Sequence, residues 1–106
     1  METFVGDTIR IVLDTKINIL SYGTLQIRYR KPNGNTGGWV SSVYPGTTGS
    51  MYYTTSLTDL DIPGTWAVQA YVEGGGTRLH GLWDEFTVFK SLLGNYVLIA
   101  EPGNFV

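Results

Sequence analysis

Apolar and polar residues alternate along most of the chain with the two-residue period of strands, not the 3.6-residue period of helices. The most regular stretch starts at Trp66: Trp66, Val68, Ala70 and Val72 share one face, and Ala67, Gln69, Tyr71 and Glu73 the other. A strand of this kind covers a core with its apolar face, which makes Trp66 a core anchor. Thr8 to Asp14 alternates with Ile9, Ile11 and Leu13 on one side. Thr24 to Arg30 alternates with Leu25, Ile27 and Tyr29 facing one way and Gln26, Arg28 and Arg30 the other. Arg28 and Arg30 are therefore expected on the solvent side of their sheet, near acidic residues such as Glu73 or Glu85. Further strands are expected at Trp39 to Tyr44, Met51 to Thr55 and Trp83 to Phe89, with Phe86 and Val88 inward, and a short edge strand at Glu2 to Val5. No stretch supports a helix longer than a turn.

Turn chemistry separates these segments. Asn33-Gly34 in the loop Lys31 to Gly38 supplies the positive φ angles of a tight hairpin turn. Pro45 to Ser50 forms another turn, and Gly74-Gly75-Gly76 a loop tip. Asp59-Leu60-Asp61-Ile62-Pro63-Gly64 is an acidic corner launching the Trp66 strand, with Asp59 and Asp61 expected to cap it through nearby backbone N–H groups. An acidic residue, Gly64, a spacer, a large aromatic and a small apolar residue two further on resemble the E–F corner and F strand of immunoglobulin-like sandwiches. Trp66 stands there in the place of the corner tyrosine and Val68 in that of the second disulfide cysteine. The expected fold is an all-β, immunoglobulin-like antiparallel β-sandwich of about seven strands over residues 1–90, plus a C-terminal extension over residues 91–106.

Composition narrows the rest. A chain of 106 residues that is 42% hydrophobic has the size of one domain and too much apolar content for disorder. The absence of cysteine excludes disulfides and thiolate metal sites. Met1-Glu2 opens without a basic, then apolar, leader, so no secretory signal is expected, and no apolar run reaches the ~20 residues of a membrane helix. The net charge of −2 argues against a generally basic nucleic-acid binder. Its sign is uneven: Arg10, Lys16, Arg28, Arg30 and Lys31 lie in the first half, and Asp59, Asp61, Glu73, Asp84, Glu85 and Glu101 in the second. These either neutralise one another across a sheet or favour head-to-tail contact between copies.

Little in the chain points to catalysis. His80 is the only histidine, and no serine sits in a nucleophile elbow. The glycine-rich loop at Lys31 leads into a strand, not the helix N-terminus that phosphate binding needs. Asp84 and Glu85, adjacent on a strand, point to opposite faces. No catalytic residue, cofactor or metal is expected. Trp39, Tyr44, Tyr52, Tyr53, Tyr71 and Trp83 exceed what one small core needs, and exposed aromatics stack on sugar rings or anchor protein interfaces. The sequence does not say which of them are exposed.

Ile27-Arg28-Tyr29-Arg30-Lys31-Pro32-Asn33-Gly34, then Gly38-Trp39, Tyr52-Tyr53-Thr54, Asp59-Leu60-Asp61, Pro63-Gly64-Thr65-Trp66 and Gln69-Ala70-Tyr71-Val72, occur in an order and spacing with a known counterpart. Over roughly residues 5–89 the chain resembles small bacteriophage structural proteins with immunoglobulin-like domains, similar in pattern to the N-terminal domain of phage baseplate upper proteins. The resemblance implies a virion component of tail, baseplate, neck or head decoration, assembled in the host cytoplasm and acting by contact with other virion subunits. It implies no catalytic residues. The alternative is a carbohydrate- or receptor-binding module that meets a cell-surface glycan through Trp39, Tyr44 and nearby aromatics. Neither reading involves nucleic acid or a membrane.

Beyond Phe89 the run Tyr96 to Ala100 is uninterruptedly apolar and β-forming, a hazard if left uncovered. It either folds back as an added strand or reaches a neighbouring subunit's sheet edge. Self-association is expected in the second case. The interface candidates are Arg28, Arg30, Trp39, Tyr71, Tyr96, Leu98 and Phe105.

Overall fold

A computed structural model describes residues 2–91, so Tyr96, Leu98, Phe105 and the apolar run lie outside the described residues. The described chain forms eight strands: β1 (Thr3–Phe4), β2 (Arg10–Asp14), β3 (Thr24–Arg30), β4 (Thr36–Val40), β5 (Ser42–Val43), β6 (Ser50–Thr54), β7 (Gly64–Gly74) and β8 (Thr77–Phe89). They make an all-β sandwich of a five-stranded sheet, in the order β1-β8-β7-β3-β4, and a three-stranded sheet, in the order β2-β6-β5. With β2 as strand B, β3 as C, β6 as E and β7 as F, this is the immunoglobulin-like arrangement. One pairing departs from the antiparallel expectation, because β1 runs parallel to the end of β8 (Thr3 with Val88, Phe4 with Phe89).

The alternation puts Ile27, Trp66, Val68, Ala70, Val72 and Val88 between the sheets, against Ile11 and Met51 of the smaller sheet. Trp66 has no exposed surface. Its Nε1 donates to the Ile62 carbonyl (2.9 Å), so the indole fastens the corner that precedes its own strand, as a corner tyrosine would. Around it runs an aromatic stack: Tyr53 on Trp39 (5.0 Å between ring centroids), Trp39 on Trp66 (6.3 Å), and Trp66 on Phe86 (6.3 Å). Tyr29 packs on Trp39 (4.4 Å). Its ring also lies directly over Gly37, where any Cβ would collide with it.

Several expectations change in detail. Trp39 to Tyr44 is not one strand. The chain leaves the large sheet after Val40 and joins the small one at Ser42, and the pivot, Ser41, is held by its N–H to the Leu25 carbonyl (2.9 Å) and its hydroxyl to the Trp39 carbonyl (3.0 Å). Alternation signals a strand but not a change of sheet. The last strand begins at Thr77, because Gly75 and Gly76 (φ 58° and 81°) turn the chain in two residues and close a long hairpin. In the β3–β4 loop only Gly34 takes a positive φ, and Asn33 instead accepts the Asn35 N–H.

At the acidic corner Asp59 Oδ2 accepts from the Ser56 N–H (2.7 Å) and the Tyr53 hydroxyl (2.7 Å), tying the corner to β6. Asp61 does not cap. It receives both bonds of Lys31 Nζ (3.0 Å each) from the end of β3. Thr55, buried, ties the segment leaving β6 to the segment entering β2: its hydroxyl donates to the Asp7 carbonyl (3.0 Å) and accepts the Ile9 N–H (2.8 Å).

Trp66→Ala is expected to cost roughly 3–5 kcal/mol in urea denaturation, the range for removing a large buried aromatic. A loss under about 1 kcal/mol would contradict its place in the stack.

The bond to Asp59, with burial, pushes the Tyr53 hydroxyl from 10.0 to about 12. The folded state therefore keeps a proton that the unfolded chain loses near 10, and the stability from this pair is complete below pH 10 and lost as pH rises toward 12. For Asp59, burial raises the carboxyl, but the bonds from Ser56 and Tyr53 outweigh it and hold it below the ordinary value. Its contribution is present above the ordinary carboxylate range and disappears as pH falls through the folded value. Denaturation midpoints measured across pH should show the alkaline loss in the natural chain and a weaker one in Tyr53→Phe.

Candidate functional site

Inward anchoring of Ile27, Tyr29, Trp66 and Val68 forces their neighbours onto the outer face of the five-stranded sheet. Register then sets these in rows across the strands. Gly38, Arg28, Gln69 and Trp83 form one row, Thr36, Arg30, Ala67 and Glu85 the next, and Val40, Gln26, Tyr71 and His80 a third. Between Gln69 and Tyr71 the register slips by one residue, a bulge in β8 at Gly81-Leu82, and Gln69 Nε2 donates to the Gly81 carbonyl there (3.0 Å).

The small residues Gly38 and Ala67 leave the middle of the face low, while Arg28, Arg30, Thr36 and Trp83 rise around it. The resulting concavity has a volume of about 500 Å³. Arg28 and Arg30 are exposed, as the alternation predicts, but they do not meet Glu73 or Glu85. The Arg28 guanidinium lies 3.7 Å from the centre of the Tyr71 ring, and that of Arg30 lies 4.7 Å from the Trp83 ring. Glu73 is instead taken by the Tyr71 hydroxyl (2.7 Å) and Arg78 (3.7 Å). The bond to Glu73 also raises the Tyr71 pKa above its ordinary value. Among the described residues no carboxylate forms an ion pair with Arg28 or Arg30; the pairs there are Lys16–Asp14, Lys31–Asp61 and Arg78–Glu73.

The interface candidates separate accordingly. Arg28 and Arg30 stand together on this face. Tyr71 is on it but buried beneath Arg28, so it supports the site and does not present a surface. Trp39 is withdrawn altogether: at 7% exposure it is a core residue sandwiched between Tyr53 and Trp66. Trp83, 57% exposed, takes its place as the presented tryptophan. Its signal in the sequence is simple alternation: with Phe86 and Val88 inward, Trp83 falls with Glu85 on the outer face, and the register opposite Ala67 and Gln69 holds it there. Tyr44 and Tyr52 form a smaller cluster on the other sheet, edge to face at 5.7 Å with Arg10 above both rings. His80 is exposed beside Tyr71 (5.1 Å between rings).

Chemically the face offers recognition. A guanidinium stacked on a ring uses its flat side and keeps its in-plane N–H donors for a partner, which suits the two oxygens of a carboxylate. Among the described residues no group of three His, Asp or Glu side chains comes together as a metal site would require. No protein-family pattern matches this chain, and no characterised protein matches its sequence.

The three tryptophans give a direct check on this geometry. Iodide should quench only the emission of Trp83, and Trp83→Phe should abolish the quenchable fraction. Trp83→Ala should also cost no more than about 1 kcal/mol of stability, the scale of an exposed cation–π contact, in contrast to Trp66→Ala.

Proposed function

We propose that this chain is a non-enzymatic structural protein of a bacteriophage particle, acting by assembly, which docks on other virion subunits through the outer face of its five-stranded sheet. The observation that carries the docking role is the pair Arg28 and Arg30, held on aromatic rings, free of carboxylates among the described residues, and set beside the exposed Trp83. Arginine and tryptophan dominate the binding energy of protein interfaces, and here they stand on strands whose opposite face is a packed core. The fitting partner surface carries Asp or Glu side chains. The particle as its setting rests on the motif resemblance between residues 5 and 89.

One observation favours a second reading. A half-exposed Trp83 at the rim of a polar concavity is also what a sugar ring stacks against, so a glycan-binding module remains the competitor. It would not use Trp39, which is buried.

Native mass measurement and a glycan array on the same preparation separate the two. Association with itself or with particle subunits and no retention on glycans is the expected result. A monomer retained by sugars would overturn the assembly reading. The double change Arg28→Ala, Arg30→Ala should leave the fold within about 1 kcal/mol, as surface changes do, and weaken assembly at least about ten-fold, equal to roughly 1.4 kcal/mol.

A further inference from the structure

The sandwich is open along one side, at the margin of the proposed docking face, whose His80 and Trp83 also border the opening. β8 is covered by β1 only at Val88 and Phe89, and among the described residues nothing pairs with its outer edge from Thr77 to Thr87. β2 is likewise an edge strand of the small sheet. Between these two edges runs a cleft in two joined parts, about 470 Å³ and 180 Å³, with Ala70 and Val72 of β7 in its floor. Val12, Ile17, Leu79 and Leu82 stand exposed along it, Leu82 at 93%. Core side chains in the floor, apolar side chains on a rim that also carries Asp14, Lys16, His80 and Asp84, and, among the described residues, unpaired backbone on both sides describe a place for one more strand.

We infer that this cleft receives residues 96–100, Tyr-Val-Leu-Ile-Ala, of a second copy of the chain, paired along the open edge of β8. The run has the matching character: it is apolar throughout, and as a strand it would set Tyr96, Leu98 and Ala100 on one face. A copy's own run is poorly placed to do the same. The tightest hairpin return, with a two-residue loop, would set Tyr96 opposite Glu85 and Ala100 opposite Gly81. That return is blocked at its start, because Thr3 and Phe4 already hold the edge of Val88 and Phe89, and the Val5 N–H donates to the Phe89 carbonyl (2.9 Å). Each residue added to the loop to clear β1 moves the run one position toward Phe89 and away from Leu82 and Leu79. A second copy has no such constraint, since its segment enters from outside.

The natural chain lacks cysteine, which permits a clean crosslinking test. Full-length Leu82→Cys and Leu98→Cys proteins are mixed and oxidised, with Val40→Cys, 80% exposed on the opposite edge of the sheet, replacing Leu82→Cys as the control. Exchange predicts disulfide-linked heterodimers at least about ten-fold in excess of the control, because a docked segment meets its partner at an effective concentration far above that of free chains. The double variant Leu82→Cys, Leu98→Cys should then link chain to chain. A disulfide confined within single chains would show that the segment folds back on its own domain and overturn the inference, as would heterodimer no more abundant than the control. Because the docking-face reading depends on Arg28 and Arg30, assembly that persists without this crosslink would sink strand exchange and leave that reading intact.

Discussion

The interaction on which the rest depends is the seating of the Trp66 indole between Trp39 and Phe86, with its N–H fixed to the Ile62 carbonyl. In a sandwich without a disulfide something else must hold the two sheets at one spacing. Here a row of stacked rings does so, from Tyr53 of the small sheet through Trp39 of β4 and Trp66 of β7 to Phe86 of β8 in the large one. Aromatic pairs contribute about 0.5–1.5 kcal/mol each beyond the area they bury. Their directional preference matters more than that sum, since it fixes the relative positions of four strands. The acidic corner is then held from both ends, by Trp66 at Ile62 and by Tyr53 at Asp59.

That inner arrangement determines the outer one. On β3 and β7 every second residue is committed to the core, so Arg28, Arg30, Gln69 and Tyr71 have no freedom to face elsewhere. A one-residue slip would bury both arginines and expose Ile27 and Trp66. The outer face, proposed above as the docking surface, thus inherits its precision from the core. Arg30 reaches across Ala67 to Trp83 because the residue between them is small, and Arg28 covers Tyr71 because the two lie on adjacent strands one row apart.

The sequence made the strands with clean alternation legible: β3 was placed to the residue, β7 in register, and Trp66 in its anchoring role. It could not show where Trp39 points in three dimensions, because a tryptophan in a short glycine-flanked strand suits a core or a surface equally until its cross-strand partner, Ile27, is known. Nor could it show the sheet change at Ser41 or the bulge at Gly81-Leu82, which are tertiary choices within segments of ordinary strand composition. The partners of Arg28 and Arg30 were misread for a related reason. Counting charges suggests carboxylates, but which side chain lies diagonally across a strand is a matter of register, and register put rings there.

That substitution of rings for carboxylates bears on what the face can do. An arginine in a salt bridge has spent its directional N–H donors, and a new partner must first displace the old one. An arginine stacked on an aromatic is immobilised through its flat side, while the donors along its edge stay available. The ordering cost of a long side chain, up to about 2 kcal/mol for a free arginine, is thereby partly met before any partner arrives. Glu73 is occupied by Tyr71 and Arg78, and Asp61 by Lys31; Glu85 shares the row of Arg30 with Ala67 between them and forms no ion pair with it. The two guanidinium groups thus rest on rings with no carboxylate paired to either among the described residues, which is the feature on which the proposed docking role rests.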